Sequence, residues 1–316
     1  MKIKRICMTG GSGFVGRSLA NQLSSAGYKV RILTRQRESN RSKLILLPGV
    51  ELIETNIHEE ANLVHHFQDC QAVINLVGIL NEKGRRGSGF PAAPVTLAEK
   101  IARACEQTGI RRVLQMSALN ADAKKGPSYY LRSKGEAEDL LLQNKALDVT
   151  VFRPSVIFGA EDSFFNRFAG LLLFSPLFFP LACPASKFAP VYVENVAQAF
   201  LRVLEEPQSF AKTYSLCGPR VYTLQELVEY TAACKGSRAR IIPLSAGLSR
   251  LQAMIFDFVP GKPFSTDNFH SASVDSVCEN NDLATLGIEA QSLEGVVPFY
   301  LQGLNQRARY DQFRRH

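Results

Sequence analysis

Residues 5–16 read RICMTGGSGFVG, a short apolar run followed at once by three glycines, Gly10, Gly13 and Gly16, spaced as GxxGxxG. The run before them suits a buried strand, and the residues after them suit a helix with Val15, Leu19 and Leu23 on one face and Gly27 as its stop. Each glycine answers a separate steric demand. Gly10 turns the chain off the strand, Gly13 leaves room for a phosphate to approach the backbone, and Gly16 lets the helix lie close to the sheet. The amides of Ser12, Gly13, Phe14 and Val15 then point from a helix N-terminus at an anion. A strand, glycine turn and helix in this order read as a dinucleotide-binding turn.

Outward from this turn the first half alternates strand-like and helix-like segments. Strands are expected at Ile3–Met8, Lys29–Thr34, Val50–Glu54, Ala72–Val77, Arg112–Met116 and Val149–Phe152, with helices at Gly13–Ser25, Val95–Gln107 and Tyr129–Gln143. AVINLV at 72–77 is apolar throughout, as a strand buried on both faces should be. The pattern predicts an α/β fold, a Rossmann doubly wound parallel sheet, with a smaller C-terminal substrate lobe. The expected division is a nucleotide-binding domain over 1–158, rejoined by 189–216, and a lobe from 159–188 and 217–316. In the second half a strand at Pro190–Val193, helices at Val196–Leu204 and Leu224–Cys234 and a strand at Arg240–Pro243 are expected. Phe168–Pro184 (FAGLLLFSPLFFPLACP) is strongly apolar but interrupted by Pro176 and Pro180, and is shorter than the roughly 20 residues of a membrane span. It reads either as the wall or lid of an apolar pocket or as the core of the lobe.

The chain has 316 residues, 46% of them hydrophobic, which is ample for a core and a second lobe. Met1–Arg5 runs directly into the first strand, which reads as a cytoplasmic protein without a secretory leader. Seven cysteines without CxxC or paired spacing read as reduced packing residues. His65 and His66 lack an acidic or cysteine cluster and read as a solvated helix face, so no metal is expected. The net charge of +8 is spread along the chain, its densest runs being Arg35–Lys43 and the tail at Arg307, Arg309, Arg314 and Arg315, and no nucleic-acid motif accompanies it.

The end of the second strand chooses between NAD and NADP. An acidic residue there would hold a ribose 2′-hydroxyl, but the chain has Thr34-Arg35-Gln36-Arg37. Arg35 offers a planar, permanently charged fork suited to a 2′-phosphate, so NADPH is the expected cofactor, with Glu38 close enough to leave NAD open. Downstream, Tyr130 and Lys134 make YxxxK on one helix face, and Ser117 follows the fifth strand. Lys134 is expected to lower the pKa of the Tyr130 phenol and to hold the nicotinamide ribose, while Ser117 hydrogen-bonds a substrate oxygen. Together they could move a proton while a hydride moves on the nicotinamide. The same residues serve equally for cofactor holding alone, and Tyr129 competes with Tyr130.

TGGSGFVG (9–16), VRILTR (30–35), AVINLVGIL (72–80), VLQMSALNA (113–121), YYLRSKGEAE (129–138), FRPSVIFGAEDSFFNRFA (152–169) and APVYVENVAQAF (189–200) follow in order. Together they resemble the atypical extended short-chain dehydrogenases/reductases, in particular bacterial relatives of the nucleotide-binding accessory subunit of respiratory complex I, over residues 1 to about 304. The resemblance implies bound NADP(H); in that subunit the cofactor is held tightly and is thought not to turn over. It further implies an adenine contact at Asn56 and Ile57, where the family's usual acid is Asn56. Leu76, Val77 and Gly78 would lie under the ribose, and Arg153, Pro154, Ser155 and Val156 along the nicotinamide. Asn195 stands in place of the usual aspartate in Glu194-Asn195-Val196. Two functions remain open: an oxidoreductase acting on a small apolar carbonyl or quinone-like substrate, and a cofactor-loaded structural or assembly protein. Peripheral association with the inner membrane or a respiratory complex follows from the second.

Overall fold

Strand β1 (Arg5–Thr9) is buried at Ile6, Cys7, Met8 and Thr9, and the glycine turn after it opens helix α1 (Phe14–Ser25). In the computed structural model, residues 2–78, 89–175, 177–259 and 264–302 are described, those at 89–93 as backbone only. Ile79 and Leu80 of the fourth-strand motif, Pro176 of the apolar segment and the arginines of the basic tail lie outside the described residues. Along the first half follow β2 (Lys29–Thr34), α2 (Arg37–Leu44), β3 (Val50–Glu54), α3 (Glu60–Phe67), β4 (Ala72–Asn75), α4 (Gly89–Thr108), β5 (Arg112–Met116), α5 (Tyr129–Gln143) and β6 (Asp148–Pro154). Then come β7 (Ile157–Phe158), α6 (Phe165–Phe174), β8 (Phe178–Leu181), β9 (Lys187–Phe188), β10 (Val191–Tyr192), α7 (Val193–Val203) and β11 (Lys212–Leu216). The chain continues through β12 (Tyr222–Thr223), α8 (Leu224–Lys235), β13 (Arg240–Pro243), α9 (Ala246–Phe256), α10 (Thr266–Ala272), α11 (Asp282–Thr285) and α12 (Val297–Leu301).

These elements form two units. The first comprises the described residues up to Pro154, then Glu194–Leu216 and Glu279–Ile288. Its sheet is parallel, in the order β11-β6-β5-β4-β1-β2-β3. The order reverses between β1 and β4, so the carboxyl ends of those strands border the crevice where such sheets bind ligands. Strand alternation divides the core between the two faces. Val149 and Val151 of β6 join Leu97, Ile101 and Leu141 on one face, while Phe152 stacks on Phe200 of α7 with ring centroids 3.9 Å apart. Arg112 ties α7 to the sheet, because Nε donates to Leu204 O (2.9 Å) and Nη2 donates to Val203 O (2.7 Å).

The second unit comprises Ser155–Val193, Cys217–Cys278 and the described residues from Glu289 onward. Its core gathers Phe165, Leu172, Phe179, Leu227 and Val297. β7 pairs with β10, β8 with β13 and β9 with β12. A Thr223–Glu226 capping box starts α8, and Gly236 at φ 64° ends it. The boundaries differ from the sequence expectation for local reasons. The β7–β10 ladder draws 155–158 and 189–193 into the second unit. Ser215 N donates to Asp282 Oδ2 (2.7 Å) and draws α11 into the first.

One expectation needs correction. Cys217 and Cys278 form a disulfide with Cα atoms 6.0 Å apart, so not all seven thiols are reduced packing residues. Their separation of 61 residues leaves no local spacing to read. The apolar segment is also not uniform. Ala169, Leu172, Phe179 and Leu181 pack in the core of the second unit, whereas Leu173, Phe174, Leu177 and Phe178 are exposed.

Candidate functional site

The turn after β1 is shaped by steric necessity. Gly10 sits at φ +74°, and a Cβ there would lie 3.0 Å from Leu76 C and Val77 N. A Cβ on Gly16 would lie 2.4 Å from Gly11 O, so only glycine lets α1 start against the turn. Gly13 is the N-cap and contributes no side-chain bond, so the first amides of α1 are left to a ligand or water. Arg17 Nη1 donates to Ser12 O (2.7 Å) and fixes the outer limb.

At the end of β2, Ser12 Oγ and Thr34 Oγ1 are 3.2 Å apart and share a hydrogen bond. Arg35 is exposed beyond them. The His58 imidazole has a lowered pKa through partial burial first, then through Lys100 and Arg35. Glu38 lies in the first turn of α2 and pairs with Arg41 (3.7 Å), while Glu54, in register with Thr34 at the end of β3, accepts from Arg37 N (3.0 Å) and places a carboxylate beside the end of β2. The Asn56 side chain is already engaged: Nδ2 donates to Glu59 Oε1 (2.8 Å), and Oδ1 accepts from His58 N (3.1 Å). Ile57 is a core residue. Of the pair expected to meet adenine, Asn56 thus has its side chain bonded within the protein and Ile57 has its side chain in the core.

Beneath the turn, a buried polar chain aligns the strand ends. Thr9 Oγ1 donates to Asn75 Oδ1 (2.8 Å), and Asn75 Nδ2 donates to Gln115 Oε1 (2.8 Å). Val77 N returns to Asn75 Oδ1 (3.2 Å), which directs Leu76–Gly78 over the end of β4.

Helix α5 begins at the N-cap Ser128, whose Oγ accepts from Leu131 N (3.1 Å). Tyr130, Lys134 and Glu138 are four residues apart and share a face. Lys134 is fully buried; its Nζ donates to Val77 O (3.0 Å) and Met116 O (3.0 Å), joining the ends of β4 and β5. Gly78 lies against it, with space for a Cβ 3.6 Å from Nζ. Burial lowers the Lys134 pKa to about 8, against the attraction of Glu138. Ser117, next to Met116, is buried, and its Oγ makes no hydrogen bond of normal geometry, although it faces the Glu138 carboxylate and helps keep it charged.

The two tyrosines separate clearly. Tyr129 is exposed under the Arg132 guanidinium, 4.6 Å from the ring centroid, while Tyr130 is half-buried. The expectation that Lys134 depresses the Tyr130 phenol is not met: burial pushes Tyr130 up to about 12. The lysine is turned onto two carbonyls, and desolvation of the phenolate is what raises the phenol.

Glu138 is the member of the site that the sequence reading passed over. It is fully buried and held by the Arg153 guanidinium, with Nε donating to Oε1 (3.1 Å) and Oε2 (3.0 Å) and Nη2 also bonding Oε2. Burial raises the Glu138 pKa, opposed chiefly by Arg153. Its place four residues beyond Lys134 was the available signal. Pro154 ends β6 in the first unit. Ser155 and Val156 belong to the second, where Ser155 Oγ donates to Ser276 O (2.7 Å) and Val156 O accepts from Val191 N (2.9 Å). Glu194 accepts from Gln22 Nε2 (2.6 Å), and the neighbouring Asn195 is buried.

Residues 10–163 match the NAD(P)H-binding family. The chain is 31% identical over 311 residues to NADH dehydrogenase (ubiquinone) 1 alpha subcomplex subunit 9, mitochondrial, of Arabidopsis thaliana, covering 93% of this chain and 74% of that protein. It is 26% identical over 241 residues to ceramide reductase of Caulobacter vibrioides, covering 76% of this chain and 73% of the relative. Among solved structures, DesIV, a dTDP-glucose 4,6-dehydratase of Streptomyces venezuelae with NAD bound, superposes with a TM-score of 0.74 at 17% identity, covering 94% of this chain and 96% of that one. At that identity it is the fold that is shared.

Proposed function

Because the chain belongs to the NAD(P)H-binding, short-chain dehydrogenase/reductase-like family that includes alpha subcomplex subunit 9 of mitochondrial NADH dehydrogenase, we propose that it binds NADPH and reduces a small apolar carbonyl or quinone-like compound. The observation that carries this reading is Ser117: a buried hydroxyl with no hydrogen bond of normal geometry, next to the residue whose carbonyl holds Lys134. The Ser117 hydroxyl faces the Glu138 carboxylate and keeps acceptor capacity for a ligand's oxygen-bound proton.

The residues present fit the cofactor. The amides of Ser12, Phe14 and Val15 would meet its phosphates, that of Gly13 being held by Gly10 O (3.1 Å); Gly10 and Gly13 leave room for them, and Arg35 presents a fork for a 2′-phosphate beyond the Glu54 carboxylate, which accepts from Arg37 N (3.0 Å). Leu76–Gly78 and Lys134 would hold the nicotinamide ribose. When bound, the nicotinamide supplies the hydride. Ser117 would hold the substrate oxygen. Tyr130, a phenol protonated at neutral pH and pushed further up by burial, would give that oxygen a proton. Glu138 would position Ser117 and balance the charge of Lys134.

One observation favours a second reading: Lys134 is bonded to two backbone carbonyls and leaves the Tyr130 pKa high. On that reading NADPH is held without turnover and the chain serves as a structural or assembly component of a respiratory complex, peripheral to the membrane. The test is steady-state reduction of short quinones and apolar aldehydes with NADPH. Tyr130→Phe should lose about 100-fold or more in kcat while keeping NADPH affinity, and Tyr129→Phe should change neither. Full turnover in Tyr130→Phe contradicts the proton-transfer role; no turnover in the parent protein, with NADP(H) that does not exchange, supports the second reading.

A further inference from the structure

We propose that the second unit carries a surface that docks on an anionic lipid bilayer. The observation begins with α9, AGLSRLQAMIF, whose apolar pattern is turned the wrong way for a core helix. Its buried positions are the small residues Ser249 and Ala253. Ser249 Oγ accepts from Cys183 N (3.2 Å), and Gln252 Nε2 donates to Pro180 O (3.2 Å), so this face is the one seated on the unit. At about 100° per residue, Leu248, Leu251 and Ile255 form a stripe on the other side, with Met254 beside it. All four are exposed.

A second apolar group lies on the element under that contact. Leu173 and Phe174 end α6, and Leu177 and Phe178 lead into β8; Phe174 is 88% exposed. β8 pairs with β13, Arg240 N donating to Leu177 O (2.9 Å), and β13 leads directly into α9. Eight large apolar side chains on neighbouring elements of one unit exceed the scattered exposure that ordinary surfaces tolerate.

Charge identifies the occupant. Lys235, Arg238, Arg240 and Arg250 are exposed on β13, on α9 and on the residues leading into them. No Asp or Glu occurs between Glu229 and Asp257, or between Asp162 and Glu194. The Asp257 carboxylate is spent on Thr266, accepting from its backbone N (3.0 Å) and its hydroxyl (2.5 Å). A protein partner is ordinarily met with both signs of charge. Asp267 lies on α10, which packs against α9, but α6, β8, β13 and α9 themselves carry cations and no carboxylate; such an apolar face suits acyl chains beneath anionic headgroups, with the arginine stems lying along the apolar surface. No helix among the described residues is long and apolar enough to cross a membrane, so the surface lies on the bilayer rather than through it.

Vesicle flotation of the full-length protein tests this without cofactor, so it succeeds or fails independently of the cofactor reading. The protein should float with vesicles of phosphatidylcholine mixed with phosphatidylglycerol and remain behind with phosphatidylcholine alone. Each cation should contribute about fivefold in affinity at low salt, so Arg240→Glu with Arg250→Glu should lose tenfold or more. Leu251→Ser with Ile255→Ser should lose a similar factor at unchanged melting temperature, because both side chains are already outside the core. Equal binding to both vesicle types, no binding to either, or wild-type binding by the variants overturns the proposal. A concentration-dependent dimer in light scattering that Leu251→Ser with Ile255→Ser abolishes would assign the face to a second copy and likewise overturn it.

Discussion

Gly16→Ala is expected to abolish binding of the nicotinamide cofactor and to destabilise the protein by about 3 kcal/mol. The added Cβ would stand 2.4 Å from Gly11 O and 2.5 Å from Gly11 C and Cα, all backbone atoms that no rotamer change can move. Relief requires α1 to lift away from the turn, which displaces the amides of Ser12–Val15 and pulls Leu19 and Leu23 from the core. Gly13→Ala is the control. Its Cβ would meet only Gly10 O, at 3.2 Å, and the residue's φ of −75° suits alanine. That variant should fold with a stability within about 1 kcal/mol of the parent while losing cofactor affinity, since the methyl occupies the approach to the phosphates. Melting curves and cofactor titration of the two variants separate a steric fault in the fold from one confined to the ligand. Parent-like stability and affinity in Gly16→Ala would contradict the packing of this turn.

The second large effect is predicted at Arg112, remote from the chemistry. All five of its N–H donors are used. In addition to Leu204 O and Val203 O, Nη1 donates to Asp148 O (2.8 Å) and Thr150 Oγ1 (2.9 Å), and Nη2 donates to Ser209 Oγ (2.9 Å). The guanidinium also lies 4.8 Å from the centre of the Phe210 ring, and burial lowers its pKa to about 10. Arg112→Met fills much of the volume but strips the donors from two carbonyls at the end of α7 and weakens the grip of β5 on the β6 edge. The expected loss in urea unfolding is about 3–5 kcal/mol, with Arg112→Lys intermediate because an ammonium offers three donors in place of a planar fork. A loss below about 1 kcal/mol for Arg112→Met would show that the buried network is not what attaches α7 to the sheet.

Much of the parallel sheet was legible because its signals are local. Apolar runs such as AVINLV and the glycine spacing mark β4 and the β1–α1 turn without reference to anything distant. Helix α2, RESNRSKL, escaped notice because its only buried residue is Leu44, and β11 because KTYSL is short and mostly half-exposed. The disulfide and the outward face of α9 escaped for the opposite reason: their meaning depends on where the fold puts residues far apart in the chain. At the site, YxxxK located Tyr130 and Lys134, but their spacing says nothing of burial. Burial holds the phenol near 12 and the amine near 8, and it draws Glu138 and Arg153 into the same group.

The central claim is that the turn at 10–16, with Arg35 beyond β2, holds NADPH. Titrating NADPH and NADH into the protein at fixed ionic strength, followed by nicotinamide fluorescence, tests it most directly, with Arg35→Ala as the paired variant. One charge-assisted, bidentate contact contributes on the order of 2 kcal/mol, so NADPH should bind some thirtyfold more tightly than NADH, and Arg35→Ala should erase most of that difference while sparing NADH. Equal affinities for the two nucleotides, or an NADPH affinity unchanged in Arg35→Ala, would contradict it.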